Sequence, residues 1–178
     1  MTQPDITNPA RRFRGRAVPW TIAAVGIAAS LTFGALWWGE RAEDARRDAV
    51  EDAARGFLVA LTNFRAGTID RDLAEIRSFT VGAFAAEVDE TFSADRLEAI
   101  RTNQAGSRGR VRSLFVQRLT GDGATVFGVV EETVTNSASP EPRTEILRVE
   151  LGLIQTTEAW KVDRVEILQS PSGGLVGP

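Results

Sequence analysis

This 178-residue chain contains no cysteine, no histidine and no tyrosine. Without cysteine it has neither a disulfide nor a thiolate zinc site. Without histidine it has no Ser-His-Asp triad, imidazole base or imidazole metal ligand. Lysine is also scarce, because Lys161 stands alone in an arginine-rich sequence. Only carboxylates, a Ser or Thr nucleophile without histidine, or Lys161 remain for catalysis. We therefore predict a protein that is not an enzyme and that uses no cofactor and no metal.

The charge balance argues against another class of protein. The chain has 24 acidic and 21 basic side chains and a net charge of -3. Nucleic-acid binding usually requires a clustered positive surface, which this overall balance does not indicate. We predict no nucleic-acid partner. The length suits one domain of about 100 to 150 residues together with extra segments.

A long uncharged run lies near the N-terminus. Residues 17–39 carry no charge, and about 20 apolar residues suffice to cross a bilayer core. Trp20 at one end, with Trp37 and Trp38 at the other, fits the two interfacial aromatic belts. A cleaved signal peptide is the alternative, but its apolar region is usually about 7 to 15 residues and ends in small residues. A buried soluble helix would not explain the arginines before the run. The sequence predicts a transmembrane helix at 17–39.

The arginines around this span predict its orientation. Four of them lie immediately before it: Arg11, Arg12, Arg14 and Arg16. By the positive-inside rule they place a basic tail, residues 1–16, in the cytoplasm. Four more arginines follow within about 20 residues of the span and oppose this assignment. A large folded domain is translocated largely regardless of its charge. We therefore expect a single-pass protein of the cell membrane with its C-terminal domain on the outer side.

A helical pattern continues directly from the span. Alanine and larger apolar residues recur at spacings of three and four: Ala42, Ala45, Ala49, Ala53, Phe57, Leu61 and Phe64. This pattern predicts a helical stalk at 40–50 and then a core helix over Glu51–Phe64 that opens a domain at 51–169. Three short helices should follow at 70–79, 81–88 and 93–102, with Thr80 and Ser93 as N-caps. The Gly- and Pro-rich tail at 170–178 is predicted to be disordered.

The pattern changes to that of strands after Arg110. Stretches rich in β-branched and aromatic residues predict four strands at 111–119, 124–136, 146–156 and 160–168. The links between them are too short for crossover helices, so the sheet should be an antiparallel meander. Helices followed by strands indicate an α+β fold with the helices packed on one face of the sheet. Trp160 is expected to be a core residue at the start of the last strand.

Charged residues on the strands allow two interpretations. Arg108, Arg110 and Arg112 could contact an acidic partner or lipid headgroups. They could instead pair with carboxylates of a neighbouring strand, such as Glu131. Adjacent strand residues point to opposite faces, so Glu131 and Glu132 cannot form an acid–base pair. The other acidic pairs are interpreted as solvated surface charge.

Four segments carry a resemblance to a known family: Thr80–Phe84, Glu131–Arg143, Arg148–Leu151 and Trp160–Asp163. With the basic tail, the single span and the order of helices and strands, they resemble the actinobacterial Mce-associated membrane proteins. The resemblance extends from about Arg11 to Leu168.

This resemblance implies a fold and a role. The fold is the cystatin-like cone of nuclear-transport-factor-like and SnoaL-like domains, also seen in a core component of type IV secretion systems. The implied role is a non-enzymatic accessory membrane subunit that stabilises or assembles an Mce-type importer of lipids or sterols. Its partners would be Mce transporter subunits, other membrane proteins and the lipid bilayer. The family supplies no catalytic residues.

Two alternatives remain. In the first, the cone binds a lipid or sterol ligand. Its expected lining is Phe57, Leu61, Phe64, Phe79, Phe84 and Trp160. In the second, the domain is a SnoaL-like enzyme that works with carboxylates alone. That alternative requires a buried Asp or Glu inside the cone, which the sequence by itself cannot identify.

Overall fold

The computed structural model of the protein describes residues 41–169. The chain divides into two compact units, Met1–Asp44 and Ala45–Pro178, and the strands and helices below belong to the second except for residues 41–44 at the start of the first helix. Within 41–169, no helix combines the length and apolarity that crossing a bilayer requires. The predicted transmembrane helix at 17–39, the tail at 1–16 and the C-terminal tail at 170–178 lie outside the described residues.

The first described helix, α1, covers residues 41–62. Its alanine-rich sequence contains no proline, and its buried face includes Val50, Phe57 and Leu58. The prediction that it continues to Phe64 is wrong. The Thr62 hydroxyl donates a hydrogen bond to the Leu58 carbonyl at 2.6 Å, and the helix ends there. The next residues, Phe64–Arg65, form a short strand, β1.

Three short helices follow, as predicted: α2 (Ile69–Ser78), α3 (Gly82–Thr91) and α4 (Ala94–Thr102). The predicted N-caps differ from those observed. The N-cap of α3 is Val81, because Thr80 is held in a parallel bridge to Val162 and the helix begins at Gly82. Ser93 does precede α4, but its side chain makes no capping hydrogen bond.

The sheet has five strands where four were predicted. After β1 come β2 (Gly106–Leu119), β3 (Gly123–Asn136), β4 (Ser139–Gln155) and β5 (Trp160–Gln169). Neighbours in the order β1-β2-β3-β4-β5 pair antiparallel. The α+β class and the antiparallel meander are therefore confirmed, and β1 is the added strand.

Two strands begin earlier than predicted, for different reasons. Gly106 was predicted to lie in a loop. It pairs with Arg65 of β1, so β2 begins at this residue. The start of β4, including Pro142, was predicted to be a loop. β5 joins β4 only from Arg148 onward, so the earlier part of β4 is an edge strand. A proline is tolerated on an edge because its missing N–H faces no partner.

The sheet has an inner face that packs in the core and an outer face that does not. On β3, Ala124, Val126 and Val130 are buried, whereas the alternate residues are partly exposed. Helix α1 lies against the inner face, where a Cβ added to Gly128 would stand 2.9 Å from the Leu58 side chain. The glycine therefore lets the helix approach the sheet closely.

Side chains at both ends of α1 bond to β2 or to the turn that follows it. Arg46 donates to the carbonyls of Thr120 and Gly121 in that turn at 2.5 and 2.7 Å. Just after the other end of the helix, the Asn63 amide donates to the Gly109 carbonyl of β2 at 3.1 Å. A side chain bonded to a strand carbonyl leaves it less open to pairing with another strand. Both Arg46 and Asn63 belong to the second compact unit, Ala45–Pro178.

Candidate functional site

The predicted basic residues lie on the outer face of β2. Arg110 is opposite Glu131, and Arg118 is opposite Thr125, which has the same parity on β3. The register of β2 shifts at two irregularities, between Val111 and Ser113 and between Val116 and Arg118. The first shift reverses which alternate residues of β2 face outward, and the second reverses it again, so Arg118 shares the outer face with Arg110. The structure therefore brings Arg108, Arg110 and Arg112 together on one side of the strand.

One carboxylate serves two of these arginines. Arg112 Nε donates to Glu131 Oε2 at 3.0 Å, and the Arg110 guanidinium lies 3.7 Å from Glu131 Oε1. The Arg112 hydrogen bond, helped by the charges of both arginines, lowers the pKa of Glu131. Within the described residues Arg108 makes no ion pair. The cross-strand pairing interpretation thus describes Arg110 and Arg112 but not Arg108.

An exposed aromatic pair lies on the same face. Phe115 is 58% exposed and stacks on Phe127 with ring centroids 6.5 Å apart and an interplanar angle of 26°. This aromatic pair was not predicted from the sequence. A signal was available, because Leu114 and Val116 flank Phe115 on β2 and alternation then turns the aromatic ring outward.

A buried carboxylate lies on the inner face. Glu132 is 3% exposed, and its Oε1 accepts a hydrogen bond from the Ser107 hydroxyl at 2.5 Å. Burial raises the pKa of Glu132, the Ser107 bond partly offsets this, and the neighbouring charge of Glu145 raises it further. Glu131 and Glu132 do point to opposite faces, as predicted. Glu132 is therefore the kind of interior acid that the enzyme alternative requires.

A second buried carboxylate has a local structural role. Asp72 is 5% exposed, and its Oδ2 accepts bonds from the Thr68 hydroxyl at 2.7 Å and from the Arg65 backbone N–H at 3.1 Å. These bonds close the turn between β1 and α2. Within residues 41–169, no group of three or more acidic side chains is placed to hold a metal ion.

The pKa of Glu132 gives a testable pH dependence. The folded state binds this proton more tightly than the unfolded chain, in which the carboxyl has the ordinary glutamate pKa of about 4.5. The stability that Glu132 contributes should thus be greatest at low pH and be lost as the pH rises from about 4.5 through the higher folded pKa. Glu132→Gln removes the ionisation and should stabilise the domain at pH 8 by about 1 to 3 kcal/mol, the usual desolvation cost of a buried polar group.

The measurement is urea unfolding of wild type and variant at pH 4.5 and pH 8. The gain from Glu132→Gln should be much smaller at pH 4.5. Glu131→Gln is the matched control, because it removes a carboxylate from the outer face whose pKa is lowered. That variant should lose stability rather than gain it at pH 8. If Glu132→Gln raised the free energy of unfolding equally at both pH values, the pKa of Glu132 would not be raised in the folded state.

The six expected cone-lining residues lie in the core or against it. Phe57, Phe64 and Trp160 are buried, and Leu61, Phe79 and Phe84 pack against the same cluster. Phe57 and Phe84 meet edge to face at 5.9 Å. Phe79 and Trp160 also line an open groove of about 770 Å³ beside the alanine face of α1. These two residues are the ones that a ligand could reach through that groove.

The curled five-stranded sheet, with α1 on its inner face, defines a cone-type α+β fold. Solved structures share the fold. An IcmL-like type IV secretion system protein from Legionella pneumophila is 14% identical with a TM-score of 0.57, over 71% of this chain and 93% of that one. Agrobacterium tumefaciens VirB8 is 7% identical with a TM-score of 0.56, over 70% and 92%. The periplasmic domain of DotI is 12% identical with a TM-score of 0.55, over 67% and 93%.

At these identities the likeness is one of fold. It confirms the predicted cone domain, including its occurrence in type IV secretion systems. No protein-family model matches the sequence, and the search of curated proteins finds no match.

Proposed function

We propose that this chain is a non-enzymatic accessory membrane subunit that stabilises or assembles an Mce-type lipid or sterol import complex through protein–protein contacts. The observation that carries the proposal is the fold, which it shares over most of their length with an IcmL-like type IV secretion system protein and with the periplasmic domain of DotI. By analogy with those proteins, the domain would be an extramembrane part of a larger envelope assembly.

The chemistry of the domain favours contact over catalysis. The chain has no histidine, cysteine or tyrosine. Glu132 is held beneath the sheet surface by Ser107, and Glu131 is engaged by two arginines. What the domain offers to solvent is the outer sheet face with Phe115 and its arginines. Such a combination of aromatic and arginine side chains is enriched at protein interfaces.

The Mce assignment has its support in the sequence resemblance. Glu131–Arg143, its longest segment, forms the end of β3, the turn and the start of β4. The predicted span at 17–39 and the basic tail at 1–16 complete the pattern. In this proposal the tail is cytoplasmic and the domain lies on the outer side of the cell membrane.

The proposal is tested by affinity purification of the tagged full chain from solubilised membranes of its own host. Mce and permease subunits should co-purify in fixed proportion to the tagged chain. An unrelated single-pass protein with the same tag is the control for membrane proteins that co-purify nonspecifically. Clean recovery of the chain alone would overturn the proposal.

The predicted span should contribute to assembly rather than act only as a tether. The reason lies in the sequence, where a charged helical pattern follows the uncharged run at 17–39 directly. Replacing residues 17–38 with an unrelated apolar span of equal length should preserve membrane insertion but reduce recovery of transporter subunits several-fold, as expected when packing between membrane helices is lost. Full recovery of the transporter subunits with the exchanged span would show that the span acts only as a tether.

A second candidate function is binding of a lipid or sterol in the open groove. The groove volume of about 770 Å³ lies within the usual range for ligand sites. Phe79 and Trp160 provide apolar surface, and Lys161 and Arg46 lie at the same groove. Native mass spectrometry of the full chain in lipid nanodiscs tests this candidate. A reproducible added mass that Ala49→Trp removes would support it, and a consistently ligand-free chain would exclude it.

A further inference from the structure

The outer face of β2 and β3 has the composition of a binding surface. Its centre is the stacked pair Phe115 and Phe127, and Phe115 is 58% exposed. Four arginines lie along β2 on the two sides of Phe115: Arg108, Arg110, Arg112 and Arg118. An exposed apolar centre with a polar rim is typical of an interaction site. We call this surface the aromatic–basic face.

The charges of this face are not balanced within the domain. Glu131 is the sole carboxylate that β2 and β3 place on it, and Arg110 and Arg112 already engage that residue. Glu150 of β4 lies opposite Phe127 and is engaged by Arg164 at 3.7 Å. Among the described residues, Arg108 and Arg118 have no ion-pair partner. A chain whose net charge is -3 thus carries a local positive surface. The two unpaired arginines are available to carboxylates of another molecule.

The dimensions of the face suit a protein. From Arg108 to Arg118 it extends about 30 Å along β2 at roughly 3.3 Å per residue. A standard protein interface covers roughly 800 Å² on each partner, and a face of this length can accommodate one. An anionic bilayer is a poorer match, because Glu131 lies within the face and each basic residue near a membrane contributes only about 1 kcal/mol. A second copy placed face to face would set arginines against arginines, which opposes binding.

We propose that the aromatic–basic face docks a protein subunit of the membrane complex, whose surface presents an apolar side chain to Phe115 and carboxylates to Arg108 and Arg118. This inference rests on the proposed function for the identity of the complex. It adds the face that makes the contact and the chemistry of the partner. Phe115 is the anchor, and the arginines set orientation and the rate of association.

The test uses the tagged full chain in the affinity purification described above. Phe115→Glu should recover at least about tenfold less of the transporter subunits than wild type, as expected for loss of an interface anchor. Arg118→Glu should also lower recovery, and it leaves the core untouched because this side chain is exposed. Val59→Glu is the matched control. Val59 is 42% exposed on α1, and its variant should recover subunits as wild type does.

The absence of native cysteine provides an independent measurement. Ser113→Cys carries the single thiol of the chain two residues from Phe115 on the same face and keeps the Phe115 ring, and Val59→Cys is its control. In native membranes a maleimide should label position 113 much more slowly than it does in the purified full chain in nanodiscs with phosphatidylglycerol. Position 59 should label equally fast in both preparations. Equally slow labelling of position 113 in those nanodiscs would show that lipid or a second copy covers the face and would overturn the inference.

The outcomes separate this inference from the proposed function. If wild type recovers the subunits and Phe115→Glu recovers them equally, the face is not the contact and only this inference fails. If wild type recovers none, the proposed function fails, and with it the partner assigned to the face.

Discussion

Phe57→Ala should lower the free energy of unfolding by about 3 to 5 kcal/mol, the usual cost of removing a fully buried phenylalanine. The side chain is 0% exposed in the C-terminal half of α1 and meets Phe84 of α3 edge to face. Val88 is the buried residue of α3, so the contact with Phe57 is a large part of what holds that helix. The variant should therefore loosen α3 as well as open a cavity.

The measurement is urea unfolding of the fragment 45–169, in which the buried apolar core from Val50 to Val162 is complete. The midpoint should fall with little change in slope. Phe115→Ala is the control, because its ring is mostly exposed and its loss should cost at most about 1 kcal/mol. If Phe57→Ala lowered the free energy of unfolding no more than Phe115→Ala does, α1 would not be packed in the core as described.

Gly109→Ala should be nearly as damaging, by about 3 kcal/mol or more, at the upper end for overpacking. A Cβ at this position would stand 1.9 Å from the Thr62 hydroxyl oxygen and 2.3 Å from the Thr62 Cβ. Rotation of the Thr62 side chain cannot relieve the second contact, so the end of α1 or strand β2 must move. The glycine is needed because the end of the helix rests directly on the strand.

Gly67→Ala is the matched control, since a Cβ there meets nothing within 4 Å. It should change stability by no more than about 0.5 kcal/mol, as is usual at open surface positions. A double-mutant cycle adds a sharper test. Thr62→Gly removes both clashing atoms, so combining it with Gly109→Ala should restore part of the loss. If the losses of stability from Thr62→Gly and Gly109→Ala were simply additive, residues 62 and 109 would not be in contact.

The sequence predicted the elements with long periodic patterns. The helices α2, α3 and α4 and the strands β3 and β5 lie within about three residues of their predicted positions, because their apolar residues repeat at the helical or strand period. The cone fold also followed from the family resemblance. The alternation rule correctly placed Glu131 and Glu132 on opposite faces.

The missed features depend on contacts between distant residues. The two-residue strand β1 has no period to detect, and it forms because Phe64 and Arg65 meet the start of β2. Gly106 and Gly109 suggested a loop, yet both lie within β2, and Gly109 faces Thr62 from α1. Burial of Glu132 likewise depends on a partner 25 residues away, Ser107. No local sequence pattern encodes these contacts between distant residues.

The surface proposed for docking was partly predictable. The arginines of β2 were identified from the sequence as a candidate contact. Their aromatic centre was not, because it needs Phe115 and Phe127 to be aligned across two strands. The pairing register supplies that alignment. The structure therefore refines a row of arginines into a defined face with an apolar centre.

Assembly of the transporter in host cells that lack this chain tests the account most directly. Native gel electrophoresis of membranes from the deletion strain should show transporter subunits that are made but not assembled. Wild-type chain and Glu132→Gln should both restore the complex, because the account assigns no chemistry to the interior carboxylate, whereas Phe115→Glu should not. An assembled complex in the deletion strain, or one that depends on the Glu132 carboxylate, would contradict the account.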